Sequence, residues 1–224
     1  MSSNFHYITV ATKPHIILDK IQTKVSQNNE TIHVLGSQEN RHIGWNARGN
    51  FGIKLREVKD FVFKPHISNE DIVLFTDAYD VIYCGDKKRI LDKFYKFNHP
   101  LIFGAETDCH PDPNQAVNYT KLDEEFSFLN SGLFIGYAWA IRQCLQHYDY
   151  NDQDDDQLYW TKQFFQNKNI IQLDYKNEIF LNTYNIDHDL FSYDGNQVYY
   201  KNRTPLFIHV NGPNKSELSN YIHF

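Results

Sequence analysis

Cysteine is scarce in this chain. Cys84, Cys109 and Cys144 are odd in number and widely spaced among 224 residues, so neither a disulfide framework nor a zinc-ligand spacing follows. A reducing compartment is the expectation. Positive charge is also thin. Lys and Arg number 22 against 28 Asp and Glu, a net charge of −6 with no basic cluster, which excludes the electrostatic footprint of a nucleic-acid-binding domain. Long apolar runs are missing too: the longest, residues 133–141, is interrupted by Gly136 and cannot span a bilayer. The first residues, MSSNFHYITVATKP, have no charged n-region and no long apolar h-region, so no secretory signal is read there. The expected location is the cytoplasm or a viral factory for a free-standing chain, and the endoplasmic reticulum for a domain of a longer one. Gly49 and Gly52 have GxxG spacing but no following Gly-Lys, which disfavours a P-loop NTPase. Repeats, low-complexity tracts and linkers are absent, and residues 1–224 are read as a single domain with a sizeable core.

What is abundant is aromatic. Seventeen Phe and fifteen Tyr against one Met point to a rigid core with polar rims. Residues 6–12, 31–35, 72–75, 101–105, 170–173, 179–180 and 206–210 read as strands, and 128–136 is apolar around Asn130-Ser131-Gly132. Helical spacing marks 14–27, 51–63, 87–97, 138–148 and 155–165, the last opening on acids as helix N-termini favour. Strand–helix alternation in the first half predicts an α/β fold with a parallel sheet, and the mixed second half predicts added antiparallel pieces.

The most informative segment is DIVLFTDAYDVIY, residues 71–83. A short β-branched and aromatic run, suited to a buried parallel strand, stops at two aspartates three apart, Asp77 and Asp80. Ligands of open α/β sheets bind beyond the carboxyl ends of strands. Two carboxylates there are hard oxygen ligands for Mn²⁺ or Mg²⁺, and a cation between them would relieve the cost of burying them. They are also compatible with turn or capping duty.

Other constellations are weaker alone. In FIHVNGPNK (207–215), His209 can ligate a metal, Asn211-Gly212-Pro213 makes a turn that bares backbone N–H groups, and Lys215 can reach a phosphate; an ordinary turn reads equally well. In DQDDDQLYWTK (152–162), Asp155, Asp156 and Gln157 can grip sugar hydroxyls or form a solvated helix start. Gly44-Trp45, Gly49 and Gly52 form a glycine-rich loop that could cradle phosphates, with Trp45 or Tyr79 as a stacking face for a base.

As an ordered set these parts are specific. ITVAT (8–12), LFTDAYDVIY (74–83), FGAE (103–106), LNSGLFIGYA (129–138), DDDQLYWTK (154–162) and HVNGPNK (209–215) resemble the glycosyltransferase domain of the multifunctional procollagen lysyl hydroxylases, itself related to collagen galactosyltransferases. The resemblance runs from about residue 7 to residue 221 and leaves no room for a hydroxylase domain, so a stand-alone transferase is expected. It implies a GT-A-type, Rossmann-like sandwich with a mostly parallel central sheet, a UDP-sugar donor and Mn²⁺, with Mg²⁺ as the alternative. By motif it implies Asp77, Asp80 and His209 as metal ligands, and Thr12, Trp45 and Tyr79 around the nucleotide. Lys54 matches a lysine after the glycine-rich loop, and Asn211, Gly212 and Lys215 would hold the diphosphate. Asp155, Asp156, Gln157 and Asn130 would face the transferred sugar. One departure is His110, where the multifunctional enzymes carry a tryptophan at the mouth of the sugar site; the smaller ring predicts a more open mouth.

The expected reaction is transfer of glucose from UDP-glucose to galactosyl-hydroxylysine of a collagen-like polypeptide, with retention. The alternatives are a galactosyl- or glucosyltransferase acting on hydroxylysine itself, with UDP-galactose or UDP-glucose, and a non-catalytic UDP-sugar-binding module that assists a hydroxylase. A phosphatase would leave His209, Asn211 and Lys215 unexplained. The acids at 152 and 154–156 are further expected to favour a cationic acceptor.

Overall fold

The computed structural model describes residues 3–44, 49–120 and 124–222. In chain order the described elements are β1 (Phe5–Val10), α1 (Ile16–Gln27), β2 (Ile32–Leu35), α2 (Gly52–Val62), β3 (Ile72–Asp77), β4 (Val81–Tyr83), α3 (Lys87–Phe94) and β5 (Leu101–Glu106). They continue with β6 (Phe128–Tyr137), α4 (Ala138–Leu145), α5 (Asp156–Gln166), β7 (Ile171–Asp174), β8 (Phe180–Asn182), β9 (Phe191–Tyr193), β10 (Val198–Tyr200), β11 (Phe207–His209) and α6 (Ser219–Ile222).

Six strands form the central sheet in the order β2-β1-β3-β6-β5-β7. The β2-β1-β3 half is parallel, as is the β5–β7 pair, and β6 runs antiparallel between them. The chain leaves β1 toward β2 on one side and returns to β3 on the other. That reversal of strand order opens a crevice at the carboxyl ends of β1 and β3, where ligands of doubly wound sheets bind. A second sheet, β4-β11-β8, and a β9–β10 hairpin complete the fold.

The core follows from the sequence pattern. Every residue of the Ile72–Thr76 run is buried, as a strand covered on both faces demands. In α1 the helical repeat buries Ile17, Leu18, Ile21 and Val25. Aromatic pairs bind the layers: Phe75 stacks on Phe134 with ring centroids 4.8 Å apart, and Tyr83 on Phe207 at 4.7 Å.

At the end of the sheet remote from the crevice, Asp71 is fully buried and acts as a clamp. Its carboxylate accepts from the Asn4 and Ser68 backbone N–H groups, the Ser68 hydroxyl and His6 Nε2. Burial works against its charge, but these donors outweigh burial and hold the carboxyl well below its ordinary value. Replacing Asp71 by Ala strands several buried donors, so a loss on the order of 3 kcal/mol is expected in urea unfolding at neutral pH. Because the folded pKa is depressed, this stability exists above the ordinary carboxylate pKa and fades as pH falls below it. The gap between wild type and variant should therefore narrow in acid; a gap independent of pH would refute the clamp.

Candidate active site

The crevice gathers residues from the whole length of the chain. Asp77 ends β3 and Asp80 lies in the turn that follows, while His209 ends β11, which pairs antiparallel with β4 directly after that turn. His209 Nε2 lies 3.4 Å from Asp80 Oδ1 and 3.8 Å from Asp77 Oδ2. One ligand atom from each of the three residues falls within 4.8 Å of the others. Two carboxylate oxygens and an imidazole nitrogen are a donor set that fits Mn²⁺ or Mg²⁺. A turn or capping role for the two aspartates does not account for the histidine.

Two lysines balance the carboxylates. Lys54 Nζ, from α2, lies 2.7 Å from Asp77 Oδ1 and 3.5 Å from Asp156 Oδ2. Burial disfavours its charge, but Asp156, Asp77 and Asp80 outweigh burial and hold the ammonium well above the ordinary lysine value. Lys215 Nζ donates to Asp80 Oδ2 at 2.6 Å and to the Val210 carbonyl, with its side chain 39% exposed. Burial likewise opposes the charge of Asp80, and His209 and Lys215 reverse the effect, holding its carboxyl below the usual range.

The acidic run divides its labour. Asp155 is the N-cap of α5, accepting from Leu158 N at 2.9 Å. Asp156, one residue on, turns inward, is buried, and accepts from Ser131 Oγ at 2.8 Å as well as facing Lys54. Burial raises its pKa, Lys54 opposes this, and the net shift is upward. Asp152 is held bidentately by Arg41 and also accepts from Tyr150 Oη.

Asn130-Ser131-Gly132 belongs to β6 itself, at a bulge. Phe103 of β5 pairs with Phe134, but the next residue, Gly104, pairs with Asn130, so Ser131 to Leu133 are extra on one strand. The bulge turns Ser131 toward Asp156 and brings the Gly132 backbone beneath the metal-ligand cluster. A Cβ on Gly132 would lie 2.4 Å from His209 Cε1 and 2.9 Å from Asp77 Oδ2. Asn130 Oδ1 accepts from Gly132 N at 3.0 Å and shapes the bulge. Gly132→Ala must push two ligand-bearing side chains apart. Divalent-cation affinity should fall at least ~10-fold, against an overpacking cost of about 1–3 kcal/mol in stability. Isothermal titration alongside thermal melting checks this, and unchanged affinity would show that the ligands tolerate displacement.

Glu106, at the end of β5, was not among the residues singled out from the sequence, though it repeats the signal of Asp77: a carboxylate closing an apolar strand. Gln157 Nε2 donates to its Oε1 and Asn211 Nδ2 to its Oε2, each at 2.6 Å. Burial pushes its pKa up to about 8, against the pull of the Gln157, Asn130 and Asn211 amides. Gln157 is committed on both sides, since it also donates to the His110 carbonyl at 2.9 Å and accepts from Ser131 N at 3.2 Å. It fastens α5, the bulge and the His110 loop to one another. The His110 ring meets Tyr184 edge-on at 5.8 Å. Gly212 adopts φ +79°, and a Cβ there would lie 2.6 Å from the Tyr184 ring, so both the turn and the close approach require glycine.

On the other flank, Tyr79 Oη accepts from Thr12 N at 2.8 Å and from Lys13 N at 3.0 Å, which fixes its ring beside His15. The Thr12 hydroxyl is buried without a hydrogen-bond partner among the described residues, which suits a group waiting for a ligand. Trp45 lies outside the described residues. Of the residues expected from the sequence, Asp77, Asp80, His209, Lys54, Lys215, Asp156, Gln157, Asn130, Asn211 and Gly212 converge on the crevice, with Thr12 and Tyr79 along its rim.

A doubly wound sheet with carboxylates at the crevice and a second sheet supplying histidine defines a GT-A-type glycosyltransferase fold. The structure of a glycosyltransferase involved in glycosylation of the major capsid of PBCV-1 has the same fold, with TM-score 0.53, 10% identity and 98% of both chains covered. The sequence matches the PLOD GT domain over residues 1–224, and the chain belongs to that family of glycosyltransferase domains. It is 34% identical over 232 residues to the multifunctional procollagen lysine hydroxylase and glycosyltransferase of Caenorhabditis elegans, covering 96% of this chain and 31% of that protein. It is also 34% identical to procollagen-lysine,2-oxoglutarate 5-dioxygenase 2 of Homo sapiens, again covering 96% of this chain and 31% of the relative. The chain thus spans about a third of the length of these relatives.

Proposed function

We propose that this chain is a Mn²⁺-dependent hexosyltransferase that moves glucose from UDP-glucose to galactosyl-hydroxylysine in a collagen-like polypeptide, retaining anomeric configuration. One observation carries the reading: the ligand atoms of Asp77, Asp80 and His209 converge within 4.8 Å at the carboxyl ends of the central strands. A buried acid, Asp156, stands across Lys54 from this cluster.

Asp77, Asp80 and His209 would hold the metal, which when bound supplies Lewis-acid stabilisation of the departing diphosphate. Lys215 adds a mobile positive charge, being half-exposed on a turn fixed by Gly212. Tyr79 and Thr12 line the nucleotide end. Asp156 orients the sugar and favours positive charge at the anomeric carbon, while Lys54 and Ser131 keep that carboxylate in place. Asn130, Gln157 and Glu106 form the polar wall behind the sugar, and Asn211, which the resemblance places at the diphosphate, is held between Glu106 and Tyr184 N. In this reading the departing phosphate itself assists the incoming hydroxyl from the same face.

The test is a mass spectrum of hydroxylysine and galactosyl-hydroxylysine peptides incubated with UDP-glucose or UDP-galactose and Mn²⁺. A gain of one hexose on the galactosylated peptide from UDP-glucose is the expected result. Addition to bare hydroxylysine instead would reassign the acceptor. Donor binding without transfer or hydrolysis would make the chain a UDP-sugar-binding module.

A further inference from the structure

His209 can serve the metal site only if its free nitrogen is the one that faces Asp77 and Asp80. A neutral imidazole carries one proton, and the partner of the other nitrogen decides where that proton sits. Here the partner is Asn182, outside every motif of the site.

Asn182 ends β8 and stands directly beside His209 in the parallel β8–β11 ladder. It is completely buried, so its amide must find both a donor and an acceptor partner within the protein. Its Nδ2 donates to the Ala105 carbonyl at 2.8 Å, one residue beyond the point where β7 stops pairing with β5. That bond fixes which way the amide faces. The oxygen is left toward His209 Nδ1, at 2.7 Å. An amide oxygen only accepts, so Nδ1 must carry a proton. Nε2 is then the ligand atom, directed at Asp80 Oδ1 and Asp77 Oδ2.

We propose that Asn182 is the positioning residue of the metal site: anchored on the Ala105 carbonyl, it holds the His209 proton on Nδ1 and presents Nε2 to the metal. The inference rests on the metal reading of Asp77, Asp80 and His209.

Two variants separate the amide's two bonds. Asn182→Leu removes both. Asn182→Asp keeps an acceptor for His209 Nδ1 but loses the donor to Ala105. Mn²⁺ affinity with UDP present is expected to fall roughly 10- to 100-fold in Asn182→Leu. In Asn182→Asp it should stay within a few-fold of wild type even though melting is lowered. A second readout needs no metal: long-range ¹⁵N–¹H spectra at a pH where the ring is neutral, with His209 assigned by comparison with His209→Ala. Wild type should show the Nδ1–H tautomer, and Asn182→Leu a shift toward Nε2–H. A wild-type Nε2–H tautomer, or wild-type Mn²⁺ affinity in Asn182→Leu, would overturn the role of Asn182 alone. Failure of wild type to bind Mn²⁺ would overturn the metal reading and this role with it. Should Asn182→Leu fail to fold, the wild-type tautomer and the Asn182→Asp affinity still decide.

Discussion

Asp77→Ala, Asp80→Ala and His209→Ala will each abolish Mn²⁺-dependent UDP binding, yet the three variants will not melt alike. The shared loss follows from geometry: three ligand atoms from two strand ends and a turn meet in one place, and a site deprived of one of three protein ligands holds a hard divalent cation poorly. The unequal melting follows from what each change leaves behind. Without Asp77, Lys54 loses its 2.7 Å partner in a largely enclosed setting and keeps the 3.5 Å contact with Asp156 and the Phe51 ring face at 5.1 Å. Stranding such a charge costs on the order of 3 kcal/mol. Without Asp80, Lys215 swings into water, since it is already 39% exposed, and little stability is lost. In wild type, Mn²⁺ should raise the melting temperature chiefly when UDP is present, since a bound diphosphate would supply ligands that the three side chains leave open. Calorimetric titration with UDP and parallel thermal melts test both halves. Normal turnover by Asp77→Ala in chelator would sink the metal assignment, and identical melting of the Asp77 and Asp80 variants would sink the account of the lysines.

The second large effect is a contrast between neighbours. Asp156→Asn should lower turnover by ~10²-fold or more with UDP affinity retained, as expected when a group acting on developing charge is neutralised. Asp155→Ala should instead cost about 0.5–2 kcal/mol of stability, the usual toll of a lost N-cap, with turnover near wild type. The distinction rests on where each carboxylate points: Asp155 to its own helix at Leu158 N, Asp156 to Ser131 and Lys54. Equal kinetic damage from both substitutions, with melting unchanged, would mean that the cap assignment misplaces Asp155. The same partners narrow the charge argument for a cationic acceptor. Asp152 is paired with Arg41 and Asp156 with Lys54, which leaves that argument to Asp154 and to Asp155, whose N-cap hydrogen bond does not neutralise its charge.

Much of the site was legible because it sits where strands stop. Apolar runs that end in a carboxylate or a histidine, as at Asp77 and His209, announce a crevice residue from sequence alone, and Glu106 carries the same mark. The parallel half of the sheet was legible for a related reason: strands buried on both faces are continuous in their hydrophobicity. What escaped reading depends on partners distant in the chain. β6 is a ten-residue antiparallel strand with a bulge, and Asn-Ser-Gly in its middle reads locally as a turn. β4 and the β9–β10 hairpin are three residues per strand, too short to show a period. Asn182 is one of many asparagines, and only the adjacent strand with His209 gives it meaning. The division between Asp155 and Asp156 turns on a helix start located one residue too early in the sequence reading.

The place of β11 in its small sheet has a thermodynamic consequence. It lies between β4 and β8, antiparallel to one and parallel to the other, so neither flanking strand has a ladder within this sheet until β11 is inserted. Its last residue is His209, and the segment leading on to Lys215 follows directly. Closing the sheet and completing the site are therefore one cooperative event. On the proposed reading, local opening of this unit should erase donor binding even while the central sheet persists, and bound donor should in turn slow amide exchange across all three strands together.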